Sequence, residues 1–284
     1  MRKASISVWV RWGWISWKIT PNVVGSRSPS PNAGWRAIWR ERDRLAAGGI
    51  TTGCVVVESK KIIGQGAVAL SSLLAVQGRN CSEMHFVDCQ FADMDFLDVD
   101  FSGSRFENCH FTACRFDGSD LSDSIWHKCQ AIGGYFCDVN ATDARFTRGN
   151  FSNTDWTGAT LTSTAFEDCK LIGGHFERVS TYGMVLRQCR LASAFLRGIS
   201  FYKSQLDEVD FSDADLDGAD FQKAVFVNCS LRQAALATAK FAGADLRGCD
   251  LGPLSLTDAR QFRQAVISHN QAADLLRGIG LVVM

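Results

Sequence analysis

The sequence predicts an all-β solenoid built of four-sided coils and closed by a short C-terminal helix. Three observations carry this. From Phe86 to Leu256 a large apolar residue returns at every fifth position: of 35 such positions 17 are Phe, 13 are Leu and 2 are Trp, and only Ala131, Ala141 and Thr181 depart. Two residues before each large one stands a small one, as at Ala144, Ala159, Ala214, Ala219, Ala224, Ala239, Ala244, Ser104, Ser119, Ser124 and Thr154, while the other three places are mostly polar. Cysteine keeps a longer step of 20, through Cys89, Cys109, Cys129, Cys169, Cys189, Cys229 and Cys249, with Gly149 and Val209 in the two unfilled places. A helix repeats every 3.6 residues and a flat strand every 2, so neither holds a five-residue pattern on one side. Twenty is four fives, so each coil is a square, and each coil buries its apolar side only by stacking on the next.

Residues 1–83 precede the repeat and differ from it. They hold six of the eight Trp and three of the four Pro, but no Phe. They carry 12 Lys/Arg against 4 Asp/Glu, whereas residues 84–284 carry 18 against 26, so the formal net charge of zero is two opposite segments cancelling. Trp9, Trp12, Trp14 and Trp17 mix with Arg and Lys, the composition of a membrane-surface or nucleic-acid arm. The apolar run 66–76 is too short to span a bilayer and too far in for an ordinary signal peptide. Residues 1–83 are therefore read as a non-repeat extension, disordered or upstream of the functional start, with a poorly ordered arm plus a cap over the first coil as the alternative.

The solenoid is expected over 84–258. No insertion breaks the count, so no long loop is expected between coils. The pattern is weakest at 129–145 and 179–185, where outward bulges are expected. Eight cysteines, the seven of the ladder and Cys114, fall in the small inward slot, where a thiol serves as a small hydrophobe. Stacked at about 4.8 Å they approach bridging distance, but free thiols in a reducing cytoplasm are expected. Residues 259–284 supply a cap: Ser268-His269-Asn270 starts a helix, 271–277 continue it, and Gly278 and Gly280 stop it. The apolar end beyond it, with Leu275 and Leu276, is suited both to covering the last coil and to meeting a second copy.

Catalytic chemistry is not visible. His85, His110, His127, His175 and His269 show no metal spacing, and there is neither a phosphate-binding glycine loop nor a nucleophile elbow. No enzyme activity, cofactor, metal site or membrane span is expected. Charge is unevenly shared among the four sides instead. Counting four fives to a coil from residue 84, the third side carries nine acids and three bases: Asp95, Asp98, Asp117, Asp138, Asp155, Glu177, Asp215, Asp217 and Asp258 against Arg115, Arg178 and Arg197. Asp100, Asp120, Asp123, Asp143 and Asp220 adjoin them on the fourth side. Nine coils make a rod roughly 42 Å long, and an acidic rod resembles the phosphate array of duplex DNA.

The motif small-Asp/Asn-Leu/Phe-x-x, as in Ala-Asp-Phe-Gln-Lys at 219–223, resembles that of the pentapeptide-repeat family. The resemblance implies a right-handed quadrilateral β-helix. The stretch from Val179 to Arg190, and the tail from Ala272 to Val283, look like segments of the Qnr and MfpA type, which protects DNA gyrase and topoisomerase IV from quinolones. It implies a homodimer held by the tail, here Leu275, Leu276, Ile279 and Leu281. It also implies a DNA-mimicking acidic face, here Asp95, Asp98, Asp117, Asp138, Asp155, Asp215 and Asp217, that binds a topoisomerase, with no direct nucleic-acid binding. A start near Met84 matches the usual size of the family. The uninterrupted count leaves no place for the two projecting loops of the Qnr type and favours the loopless branch, linked to gyrase inhibition or immunity to other gyrase poisons. A protein-binding scaffold or effector without a topoisomerase role is the other reading.

Overall fold

Phe86 lies flat on Phe106, with ring centroids 4.8 Å apart and planes within 6°. The same step of 20 residues is repeated up the interior as the expected large residues stack by side, Phe116 on Phe136 at 4.7 Å and Phe136 on Trp156 at 4.4 Å. The computed structural model describes residues 5–10, 13–18, 55–58, 61–64, 79–252, 260–278 and 280–283. Two compact units divide the chain at residues 51 and 52. In the first, Ser5–Val10 pairs antiparallel with Gly13–Lys18. The second contains the solenoid, a right-handed quadrilateral β-helix of about nine turns. Trp12, the run 66–76, Leu256, Asp258 and Ile279 lie outside the described residues.

The first side is the most regular. Three-residue strands at His85–Val87, Arg105–Glu107, Ile125–His127 and Arg145–Thr147 pair in parallel, each one coil from the next. Ala165–Glu167, Val185–Arg187, Gln205–Asp207 and Val225–Val227 continue the ladder. The other sides are joined mainly by single bridges such as Gln130↔Asn150, Asp95↔Arg115 and Asp100↔Asp120. Each corner is made by the second residue after the large one, which takes a positive φ: 53° at Asp88, 52° at Asp98, 63° at Gly103, 56° at Asp123. Glycine reaches that region freely, and Asp and Asn reach it at less cost than most residues. Many of the aspartates of this chain therefore stand where the turn itself favours them.

The ladder also extends upstream of residue 84. Lys61–Ile63 pairs in parallel with His85–Val87, Asn80 bridges to Asp100, and Cys81, five residues before Phe86, is buried in the same register. The coil around 129–145 does not bulge as expected. Ala131 and Ala141 are fully buried, and the bridges of Gln130, Tyr135 and Asn140 stay in place. The indole of Trp126, on the adjoining side, fills the room that the small Ala131 leaves. At 179–185 the pattern does relax: Thr181 is partly exposed, and its hydroxyl donates to the Ser200 carbonyl at 2.7 Å.

The far end is capped by the tail. Phe262 packs on Phe241 with centroids 4.9 Å apart, and Val266 bridges to Asp245. The helix His269–Gly278 starts on a capping box, in which the Ser268 hydroxyl accepts from the Gln271 amide and the Gln271 side chain accepts from the Ser268 amide. Gln271 Nε2 also donates to the carbonyls of Leu246 and Cys249, both at 2.7 Å, tying the helix to the last described coil.

The cysteine ladder is an interior edge. The ten described cysteines are free thiols, and all but Cys137 are buried. Cys109 Sγ donates to the carbonyls of Glu107 and Phe86, at 3.4 and 3.5 Å. The neighbouring thiol of Cys129 and burial together push Cys109 up to about 12. Burial first, then Cys189, pushes Cys169 to about 12. These are inert packing groups rather than nucleophiles.

Candidate functional site

Most carboxylates of the acidic sides stand in two recurrent slots, while Asp117, Glu177 and Asp217 directly follow the large residue. One is the corner position already described. The other is the residue just before the large one, where an aspartate turns back on the chain: Asp100 accepts from the Ser102 amide at 2.9 Å and from its hydroxyl at 2.6 Å, and Asp120 from the Ser122 amide at 3.0 Å. Both slots favour aspartate for local backbone reasons. Any function has therefore been laid over a structural preference.

Each predicted site residue can be placed against that background. Asp95, Asp98 and Asp138 are exposed, and Arg79 pairs with Asp98 at 3.3 Å. Asp117 is held by Arg115 at 2.6 Å and accepts from the Cys137 amide at 3.0 Å. Asp155 is half-buried, which raises its affinity for a proton, but the Thr157 hydroxyl and amide outweigh this and leave it lowered. Asp215 is paired with Arg197 at 2.6 Å. Asp217 accepts from the hydroxyl and amide of Thr238, both at 2.8 Å, and is lowered chiefly by that hydroxyl. Four of the seven are thus tied into the scaffold, and three stand open or nearly so.

The charge also divides along the rod, which counting by sides alone does not show. On the third and fourth sides between residues 94 and 163 stand Asp95, Asp98, Asp100, Asp117, Asp120, Asp123, Asp138, Asp143 and Asp155, opposed only by Arg115. Between 174 and 243 the same sides carry Glu177, Asp215, Asp217 and Asp220 against Arg178, Arg197, Lys203, Lys223 and Lys240. Lys203 and Lys223 both lie over the Tyr202 ring, at 5.1 and 5.9 Å from its centroid. Tyr182 beside them is 85% exposed. The acidic surface therefore belongs to the first four coils, and a nearly charge-balanced surface with exposed tyrosines follows it.

At the C-terminal end Leu276 and Leu281 are 40% and 53% exposed, and Leu275 is partly covered. No residue of the helix is fully buried, so an apolar surface is left beyond the cap. Among the described residues no group of three or more His, Cys, Asp or Glu is arranged to hold a metal. No helix among them is long and apolar enough to cross a membrane.

Family models match the solenoid directly: a pentapeptide repeat region over residues 99–183, and pentapeptide repeats in eight copies over 185–222 and 214–252, together more than half of the chain. The chain belongs to the pentapeptide-repeat family. Among solved structures, this pentapeptide-repeat protein is similar to full-length QnrB1, a plasmid-mediated fluoroquinolone resistance protein. The TM-score is 0.60 and the identity 21%, covering 68% of this chain and all of that one. A trypsin-treated variant of QnrB1 matches with a TM-score of 0.54 and 19% identity, over 79% of this chain and 97% of that one. No curated protein matches the sequence. At this identity the likeness establishes the solenoid fold.

Proposed function

We propose that this pentapeptide-repeat protein is a DNA mimic that binds DNA gyrase or topoisomerase IV in the cytoplasm and alters its response to quinolones or other poisons. The observation that supports it best is the acidic stretch from Asp95 to Asp155, nine carboxylates on two adjoining sides with Arg115 among them and Arg79 against Asp98. A DNA-binding groove is basic and attracts such a surface over several ångströms. The protein would act as a homodimer joined through Leu275, Leu276, Ile279 and Leu281, which sets two acidic arms about a two-fold axis and suits a two-fold enzyme. The likeness to QnrB1 agrees with this reading.

Purified gyrase assayed for supercoiling of relaxed plasmid tests it, with and without a fluoroquinolone. Added protein should either restore supercoiling in the presence of drug or inhibit it in the absence. No effect in both arms overturns the proposal. A second reading, a scaffold that binds some other protein, is favoured by the arginine partners of Asp98, Asp117 and Asp215, which mute the acidic face. That reading expects the gyrase assay to be silent.

A further inference from the structure

Diagonally across the square from the acidic sides, where the first side turns into the second, runs a shallow groove of about 540 Å³. One cation lines it on each of four successive coils: Lys128, Arg148, Lys170 and Arg190. The first two belong to the corner position of the first side. The last two are consecutive rungs of a ladder on the second, Gln130↔Asn150, Asn150↔Lys170 and Lys170↔Arg190. The four positive charges therefore cross the groove diagonally. At the ~4.8 Å strand spacing they extend over about 15 Å.

All four are exposed. Arg148 reaches Asp168 at 3.8 Å, the one acid in the lining. Lys128, Lys170 and Arg190 make no ion pair among the described residues. Between them the side chains of Gln130 and Asn150 offer amide donors, and Gly149 in the floor adds no side chain. The lining contains no aromatic or large aliphatic side chain that would anchor a peptide or enter a lipid layer.

We propose that this groove holds one phosphodiester strand of a nucleic acid through its backbone. Linear spacing of cations suits a chain whose charge recurs every few ångströms. Amide donors suit phosphate oxygens, and the absence of a stacking ring means no reading of bases. This differs from the expectation of no direct nucleic-acid binding, which the family resemblance implied. The proposal goes beyond topoisomerase binding and does not rest on it: one rod offers carboxylates to a protein on one corner and cations to a strand on the other.

Fluorescence anisotropy of a labelled mixed-sequence oligodeoxynucleotide with the full chain, without any topoisomerase, tests it. The triple variant Lys128→Gln, Lys170→Gln, Arg190→Gln should bind at least ~10-fold more weakly at low salt. Its slope of log affinity against log salt should flatten by about 2, three phosphate contacts at about 0.7 each. A second triple, Lys203→Gln, Lys223→Gln, Lys240→Gln, removes the same charge elsewhere and should change affinity by less than ~2-fold. Exchanging Lys128 and Lys170 for Arg and Arg190 for Lys keeps the charge and should keep binding. Failure of the wild type to bind, equal loss in the two glutamine triples, or loss in the charge-keeping triple overturns the proposal. So does displacement of the oligonucleotide by polyglutamate as readily as by unlabelled DNA, which would make the occupant an acidic peptide.

Discussion

Trp126 and Ala131, on adjoining sides of one coil, share the volume that two large side chains occupy elsewhere. The Trp126 ring lies 5.3 Å from Phe111 and 6.3 Å from Phe151, the residues directly before and after Ala131 on the second side. Its Nε1 donates to the Ser124 hydroxyl at 3.0 Å, which fixes the indole in place. Trp126→Ala should cost about 3–5 kcal/mol, and Ala131→Phe alone about 1–3 kcal/mol by overpacking. Combined as Trp126→Phe with Ala131→Phe, the pair should lose at least ~0.5 kcal/mol less than the sum of Trp126→Phe and Ala131→Phe measured singly. Additive denaturant midpoints would mean that the two sites do not share space.

That exchange also explains what could be read beforehand. Because each five is one side, the inward register from Phe86 to Leu251 follows from the sequence alone. The compensation at Ala131 does not, since it depends on which ring of a neighbouring side can reach across. Lys61–Ile63 was not legible as a rung because a paired edge needs backbone geometry, not the five-residue rhythm. The acidic residues were legible but their meaning was not. Asp88 and Asp123 stand where φ is positive, and Asp100 and Asp120 where a backbone amide needs an acceptor, so aspartate count overstates the surface chosen for a partner. A sum by sides merges the acidic first half with a nearly balanced second half and does not show the corner of Lys128 to Arg190.

The thiol ladder implies an alkaline limit to stability. Cys81, Cys109 and Cys169 are each raised from 9.0 to about 12, and Cys114 and Cys189 to about 11. In the unfolded chain these thiols lose their protons as pH passes 9.0, while in the solenoid they keep them. The unfolded state thus holds fewer protons, and stability, complete below 9.0, falls as pH rises towards 11–12. Urea midpoints should drop between pH ~8 and pH ~10.5. In Cys169→Ala with Cys189→Ala the drop should be shallower, despite lower stability at neutral pH. An equal slope in both proteins would place the alkaline loss in other groups.

The apolar end should hold the dimer. Leu276→Asp with Leu281→Asp changes two exposed side chains beyond the last described coil, so folding should survive, and light scattering should show a monomer where the wild type shows a dimer. Retention of the dimer in this variant would place the interface elsewhere. A monomeric wild type would remove it altogether.

The last expectation concerns the acidic half, because the proposed function depends on it. Asp95, Asp98, Asp123 and Asp138 are the carboxylates to reverse, being exposed on the third and fourth sides. Lysine is acceptable at all four: Lys128, Lys203 and Lys223 occupy the corner position of Asp98, Asp123 and Asp138 at φ of 55° and 59°, and Lys170 and Lys240 precede the large residue as Asp95 does, so the four-Lys variant should fold, each change costing less than about 0.5 kcal/mol. The net charge moves by about 8 units, and affinity for gyrase should fall at least ~10-fold if carboxylates meet a basic groove. Wild-type binding should itself weaken between about 0.1 and 0.3 M salt, where screening falls below ~10 Å. The matched control reverses Asp168, Asp207, Glu208 and Asp213, which lie on the first and second sides. A partner that reads the acidic half must tell the two variants apart, whereas one that responds to total charge cannot. Equal inhibition or protection by wild type and both variants in the supercoiling assay would end the DNA-mimic reading and leave the scaffold in its place.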